Sequence, residues 1–507
     1  MLEREEGMVI SSRRPTDGQL VHQTFTYPTG VYYLTYTLVG YSNRGRTRQP
    51  MGFRAALQGF GATSFIALLS TLAWSQAESP KTTTRPPEEG RKQEAEPVIE
   101  DWSYHFQATV VLQGRGAMES PYAGPNSFSA NRENATSITS TLFLGRRLWN
   151  NAAIYFDPEI SGGTGLSSTL GIAGAPNGET TRVGTTSPRA YIARLYFEQS
   201  IDLGGDYEKV VPDQNQLGGR QCKERLTFTL GKMSSGDIFD DNTYSHDPRT
   251  QFMNWSLMTN GAWDYPADAR GYTYGIAAQL VLKEWAFRYG IFAMPEEANG
   301  FTFDRTLAHA HGQSLEVEYD YSLFERPGKV RLMGYLNNAH MGDYREAIAN
   351  APTAPDITSA REYRIKFGVT LNAEQKIADD LGAFTRVGWN DGRTETFAFT
   401  EIDQSFQAGL SLQGSLWQRP EDTVAVAVVV NGISKDHRDY LAAGGLGFIL
   451  GDGRLTYGQE TILEFYYQAR LAKSLFVSLD YQFVDNPGYN RDRGPVSIFG
   501  LRVHVEF

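Results

Sequence analysis

The chain ends Phe499-Gly-Leu-Arg-Val-His-Val-Glu-Phe507, and the fold is decided by its alternation. Phe499, Leu501, Val503, Val505 and Phe507 are apolar, while Gly500, Arg502, His504 and Glu506 are small or polar. A strand sends successive side chains to opposite faces, so this segment has one greasy face and one charged face. A soluble sandwich strand could show the same pattern. A terminal strand that ends on an aromatic residue, in a chain full of similar strands, more often closes an outer-membrane β-barrel. The apolar row then faces lipid, and Arg502, His504 and Glu506 face an aqueous lumen.

Upstream, the same period recurs in fifteen further segments. They lie near 103–113, 138–146, 152–160, 189–200, 224–233, 270–282, 285–293 and 312–323. The rest lie near 328–337, 362–374, 382–389, 403–414, 422–431, 460–471 and 474–484, and 496–507 makes sixteen. The apolar run Leu446–Leu450 sits among glycines and reads as loop.

The connections alternate in length. Short links fall at 148–151, 283–284, 325–328, 377–380, 418–421 and 472–473, each joining an even strand to the next odd one. Long links fall at 114–137, 161–188, 234–269, 294–311, 338–361 and 432–459. Short periplasmic turns and long outside loops are what an outer-membrane barrel requires. One link, 201–223, should be a short turn and exceeds twenty residues. The expected fold is all-β, a transmembrane antiparallel barrel of about 16 strands. A large soluble β-protein is the rival, and it would need no such alternation.

Composition agrees. The formal charge is −11, which disfavours nucleic acid as a partner. Tyr (27), Phe (28) and Gly (51) are abundant, as interfacial girdles and curved strands demand. Mean hydropathy is low at −0.39, but a barrel hides its apolar half in alternation. Cys222 is the single cysteine, so no intrachain disulfide forms.

Met51-Gly-Phe-Arg54, an apolar core over 61–74 and Ser75-Gln-Ala77 read as a secretory signal peptide over 51–77. Residues 1–50 then read as an upstream extension, and the charged, Pro-rich 78–101 as a flexible periplasmic tether before a barrel domain over 102–507. Cleavage after Ala77 would leave 40 basic against 54 acidic residues, a net charge of about −14.

Charges on the lipid face of a barrel cost roughly 2–4 kcal/mol at mid-membrane, so they point inward. The inward set includes Arg194, Arg225, Arg288, Arg331, Arg364, Arg386, Arg470 and Arg502 among basic residues. Its carboxylates include Glu198, Glu316, Glu318, Glu464, Asp480 and Glu506. Read singly, each is a solvated wall residue; together they make a wet, mixed-sign channel. A sixteen-stranded barrel leaves a wide bore, so a selective one must be narrowed. The loop 234–269 suits that task, with Asp240, Asp241, Asp247, Arg249, Trp255 and Trp263. Folded inward, it would form an eyelet with a transverse field. Its carboxylates and arginines could exchange hydrogen bonds with polyols, and its aromatic faces could pack on sugar rings. Equally, Trp255 and the Phe252 region could simply anchor the loop.

Three segments carry a family resemblance. Tyr457-Gly-Gln-Glu460-Thr-Ile-Leu-Glu464-Phe-Tyr466-Tyr is followed by Leu479-Asp-Tyr481-Gln482-Phe-Val-Asp-Asn486-Pro487-Gly488 and by Val503 to Phe507. These resemble the end of the carbohydrate-selective porins of the OprB family, and Phe239-Asp-Asp241 with Phe252-Met-Asn254 resembles an earlier segment of that family. The resemblance implies a sixteen-stranded porin passing mono- or small oligosaccharides by diffusion; the sequence leaves monomer and homotrimer both open and calls for no cofactor. From the inward face and the loop, the candidate pore residues are Asp240, Asp241, Asp247, Arg249, Trp263, Arg194, Glu198, Arg225, Arg288 and Glu464. A general or ion-selective porin is the second reading. An outer-membrane enzyme such as a lipase would need a Ser/His pair at a bilayer edge, and His504 points inward instead. His309-x-His311 lacks a carboxylate partner motif for a metal, and the glycines of 444–453 lack the Lys-Ser/Thr of a phosphate loop.

Overall fold

The computed structural model describes residues 99–180, 186–397 and 400–507, and separately a small hairpin pairing Thr24–Tyr27 with Gly30–Tyr33. The expected signal peptide lies outside the described residues, as does most of the tether. Among the described residues from 99 onward, sixteen antiparallel strands close into one barrel. In chain order they are β1 (Trp102–Arg115), β2 (Glu133–Trp149), β3 (Ala152–Gly163), β4 (Arg189–Val210), β5 (Gly219–Met233), β6 (Thr273–Leu282), β7 (Trp285–Ala293) and β8 (His311–Leu323). There follow β9 (Arg326–Gly342), β10 (Arg361–Lys376), β11 (Leu381–Asn390), β12 (Gln404–Gly414), β13 (Arg419–Gly432), β14 (Glu460–Ala472), β15 (Leu475–Asp485) and β16 (Val496–Glu506). Every strand pairs with its sequence neighbours, and β16 closes on β1 in the register Val503↔Val110. Phe507 completes the seam: its N–H donates to Phe106 O (3.0 Å), its carbonyl accepts from Phe106 N–H (2.8 Å), and the two rings lie 5.3 Å apart.

The faces follow the alternation. Ile365, Phe367, Val369 and Leu371 of β10 are exposed on the outer wall, while Lys366 and Thr370 between them are buried inside. Outward aromatic residues gather at both rims, with Trp102, Trp149 and Trp285 on the short-turn side and Tyr274, Tyr363 and Trp389 on the other. Their amphipathic rings suit the headgroup level of a bilayer.

Two expectations need correction. The link 201–223 is not an irregular turn. β4 and β5 stay paired from Ile201↔Leu226 to Val210↔Gly219, so the true link is only 211–218. The inward wall is also drier than expected. Arg331, Arg386 and Arg502 are at most 1% exposed, because loop segments lie over them.

Outside, the long loops carry short helices, Tyr344–Asn350 and Lys435–Ala442, which pack with Leu446–Leu450 and residues of neighbouring loops into a cap.

Candidate functional site

The segment after β5, residues 234–272, leaves the outer rim and crosses the bore. Its route is fixed by polar groups on distant strands. Asp240 N–H donates to Glu316 of β8 (2.9 Å), and Thr243 N–H to Glu374 of β10 (2.7 Å). Asn254 and Met253 N–H both donate to the Glu464 carboxylate of β14 (2.9 and 2.5 Å). Arg502 of β16 donates to the carbonyls of Pro248 (2.7 Å) and Gln251 (2.6 Å). Asn254 caps the short helix Trp255–Met258, and its amide reaches Gln482 of β15 (3.0 Å). A loop rooted between β5 and β6 thus touches β14 to β16 on the far wall. Phe252 packs on Phe384 and Tyr466, an anchoring role.

Strand β11 is shaped for this loop. Its inward row contains Gly382 and Gly388, where an added Cβ would meet Tyr244 and Asn260 at 2.0 Å. Backbone without side chain lets the loop lie flat on the wall.

A second loop, after β3, also turns inward. Glu460 of β14 accepts from the N–H groups of Ala173 (3.0 Å) and Gly174 (2.7 Å). Gln113 and Gln482 both donate to Pro176 O, at 2.8 and 2.7 Å. The two loops join through Trp255 N–H to Ala175 O (2.9 Å) and Gly178 N–H to Met253 O (2.7 Å). Sequence reasoning missed this loop's role. The available signal was Leu170–Pro176, a stretch of small and apolar residues with no charge, unsuited to waving in water.

Beside the loops, against β1, β2 and β4, a cavity of ≈ 480 Å³ remains. Five of the expected pore residues line it: Arg194, Glu198, Asp247, Arg249 and Trp263. Arg194 holds Asp237 in a two-pronged contact (2.7 and 2.6 Å) and lies 3.5 Å from Asp157. Arg249 bridges Glu159 (3.0 Å) and Glu179 (2.8 Å). Such forked pairs are strong and geometrically fixed. Trp263 borders the cavity but is 1% exposed, packed against Phe239 and Tyr265. Trp263 Nε1, His246 Nδ1 and Asn215 Oδ1, all on cavity-lining residues, have no hydrogen-bond partner among the described residues.

The other five lie elsewhere. Arg225 and Arg288 line a second cavity of ≈ 590 Å³ toward the short-turn mouth, where Arg288 pairs with Glu316 (2.9 Å) and Glu318 (3.3 Å). Asp240 and Glu464 are buried and hold the crossing loop. Asp241 is 61% exposed and 3.7 Å from Arg331. A third cavity of ≈ 250 Å³ lies between them, sharing Glu198 and Asn215 with the first and Arg225 with the second. Among the described residues no group of three metal-ligating side chains converges, and Cys222 is buried with Sγ against Gly204 O. Asp157, Asp237, Gln214 and Asn215 are site residues the sequence did not single out.

The model of the family described as carbohydrate-selective porin, OprB family, matches residues 136–507. The solved structure of Pseudomonas putida OprB at high pH superposes with a TM-score of 0.60 at 16% identity, covering 80% of this chain and 94% of that one. The outer membrane channel DcaP of Acinetobacter baumannii gives a TM-score of 0.46 at 9% identity, covering 82% and 99%. No curated protein matches. At these identities the structural likeness is one of fold.

Proposed function

Because this chain belongs to the OprB family of carbohydrate-selective porins, a channel family of the bacterial outer membrane, we propose that it passes mono- or small oligosaccharides by passive diffusion. In this reading the solute is contacted in the 480 Å³ cavity beside the crossing loop. The observation that carries this reading is the pairing of its cations. Arg194 is matched by Asp237, and Arg249 by Glu159 and Glu179. With each arginine engaged by carboxylates, the wall offers directional donors and acceptors that suit a neutral polyol, while the excess of carboxylates disfavours anions. Each solute hydroxyl then exchanges water for a wall group at a net gain of about 1 kcal/mol, weak enough for release. Conduction needs that balance between entry and escape.

In this reading Arg194, Glu198, Asp247, Arg249 and Trp263 contact the solute, and Arg225 and Arg288 line its exit. Asp240, Asp241 and Glu464 act by holding the loop. The test is single-channel current with neutral sugars added, alongside liposome swelling with sugars of graded size. Sugar-dependent block and swelling that falls with sugar size support it. A strong preference among salt ions, with no block by any neutral sugar, would replace it with an ion-selective porin.

A further inference from the structure

The short-turn side of an outer-membrane barrel ordinarily contributes only tight turns. Here β4 and β5 run on past their neighbours. The last pair of β4 with β3 is Gln199↔Ala152, and the last of β5 with β6 is Arg225↔Val281. Beyond those points the two strands pair only with each other, out to Val210↔Gly219.

This free hairpin bends. Its register shifts on both sides of Gly204, and Gly204 and Gly205 have φ of +126° and +87°, values that only glycine adopts readily. Such bulges turn a ribbon sharply. The tip then returns to the barrel. Asn215 Nδ2 donates to Asp157 Oδ2 on the inner wall of β3 (2.8 Å). Leu217, 7% exposed, packs with Ala153 and Tyr155. Gly218 O accepts from Arg147 Nη2 (3.1 Å) and Glu100 N (3.0 Å), and Gly218 N–H donates to Glu100 Oε2 (2.9 Å). The tip itself is a compact turn, closed by reciprocal backbone bonds between Asp213 and Gln216 (3.1 and 3.0 Å). Asn215 takes its left-handed position, φ +54°, which Asn tolerates better than most residues.

As a result, Gln214 and Asn215, from a periplasmic link, line the same cavity as Arg194, Asp237 and Trp263. We propose that this folded-back hairpin is a second constriction of the pore, acting from the periplasmic side, with Asn215 as the residue through which it limits what passes. The Asn215 amide nitrogen is engaged by Asp157, while Oδ1 has no partner among the described residues. This inference needs the chain to be a channel but does not depend on which solute it carries.

The test uses the full chain in planar bilayers, in salt and without sugar. Asn215→Cys is exposed to a small cationic methanethiosulfonate. The expected result is a fall in single-channel current by about half or more, as for an added group in a narrow pore. The parent channel, whose Cys222 is buried, should be unaffected. In a second variant a Gly/Ser link replaces Asp206–Gln221, and conductance should rise at least about twofold. Heat-modifiable migration reports folding. Should the shortened chain fail to fold, Asn215→Trp serves in its place and should lower the conductance. Unchanged current after modification, with parental conductance in the folded second variant, overturns the proposal. A widened channel that no sugar blocks would keep this inference and refute the sugar reading.

Discussion

Replacing Arg386 by Met should open the pore while leaving the barrel standing. Arg386 projects inward from β11 and is fully buried. Its guanidinium donates to the carbonyls of Leu257 (3.0 Å), Asp240 (3.1 Å) and Ser245 (2.7 Å), three separate points of the crossing loop. Its Nε lies 3.1 Å from Asp240 Oδ2. Methionine keeps much of the apolar stem and removes every donor. Breaking one side of a buried ion pair costs about 3–5 kcal/mol, and each orphaned carbonyl adds about 1 kcal/mol or more. Asp240 retains Thr259, Asn260 and Asn372 as donors, which offsets part of this. A net loss near 4 kcal/mol would raise the open-to-closed ratio of the loop about a thousandfold. The strand ladder does not use the Arg386 side chain, so heat-modifiable migration should persist. Single-channel recording should show larger and noisier currents, and swelling assays should admit larger sugars. The double variant Asp240→Asn with Arg386→Met no longer buries a lone charge, so it should be closer to the parent than additivity allows. A folded Arg386→Met channel with parental current and size limit would refute the reasoning.

Gly388→Ala should also displace the loop, since its Cβ would meet Asn260 Oδ1 at 2.0 Å, whereas Gly334→Ala, with nothing within 4 Å, should be silent in the same recordings. Arg194→Ala would leave Asp237 and Asp157 without their cation. The expected outcome is a reversal potential shifted toward cation preference and weaker block by neutral sugar. The outer cap should respond to pH through His437, buried between Asp403 (3.1 Å) and Glu401 (3.7 Å), stacked on Tyr344, with Lys366 3.9 Å from Asp403. Burial alone would lower the His437 pKa, but the two carboxylates carry it above its ordinary value; Asp403 stays below the usual carboxylate range despite burial, held there by His437 and Lys366. Stabilisation from His437 is complete below about pH 6.5 and lost as pH rises through the raised value. That from Asp403 is lost as pH falls through its lowered one. The protection factors of Lys435–Ala442 in hydrogen exchange, taken relative to the intrinsic rate at each pH, should thus be largest under mildly acidic conditions and smaller in alkali; equal protection factors at both would contradict the assignment.

What the sequence made legible and what it hid divide along one physical line. A strand between lipid and lumen must alternate, because charge on the outer face is costly, and all sixteen strands were readable from that constraint. The hairpin extension Asp202–Glu224 touches no lipid, so nothing forces alternation there; Asp202-Leu-Gly-Gly-Asp-Tyr-Glu-Lys209 reads as loop although it is paired. The inner wall is underdetermined for a related reason. A polar residue facing inward can meet water or loop backbone, and both satisfy it. Arg386, Glu464 and Arg502 look like solvated lumen charges in sequence, yet each bonds main-chain groups of the crossing loop. A clue lay in the glycines of β11. Gly382 and Gly388 on an inward face, where side chains would otherwise fill space, mark where another backbone lies close. The position of a loop inside a barrel is thus written on the wall that receives it, in glycines and in charges of fixed spacing, more than in the loop itself. By the same logic, Asp157 of β3, inward and fully buried, marks where the periplasmic hairpin returns.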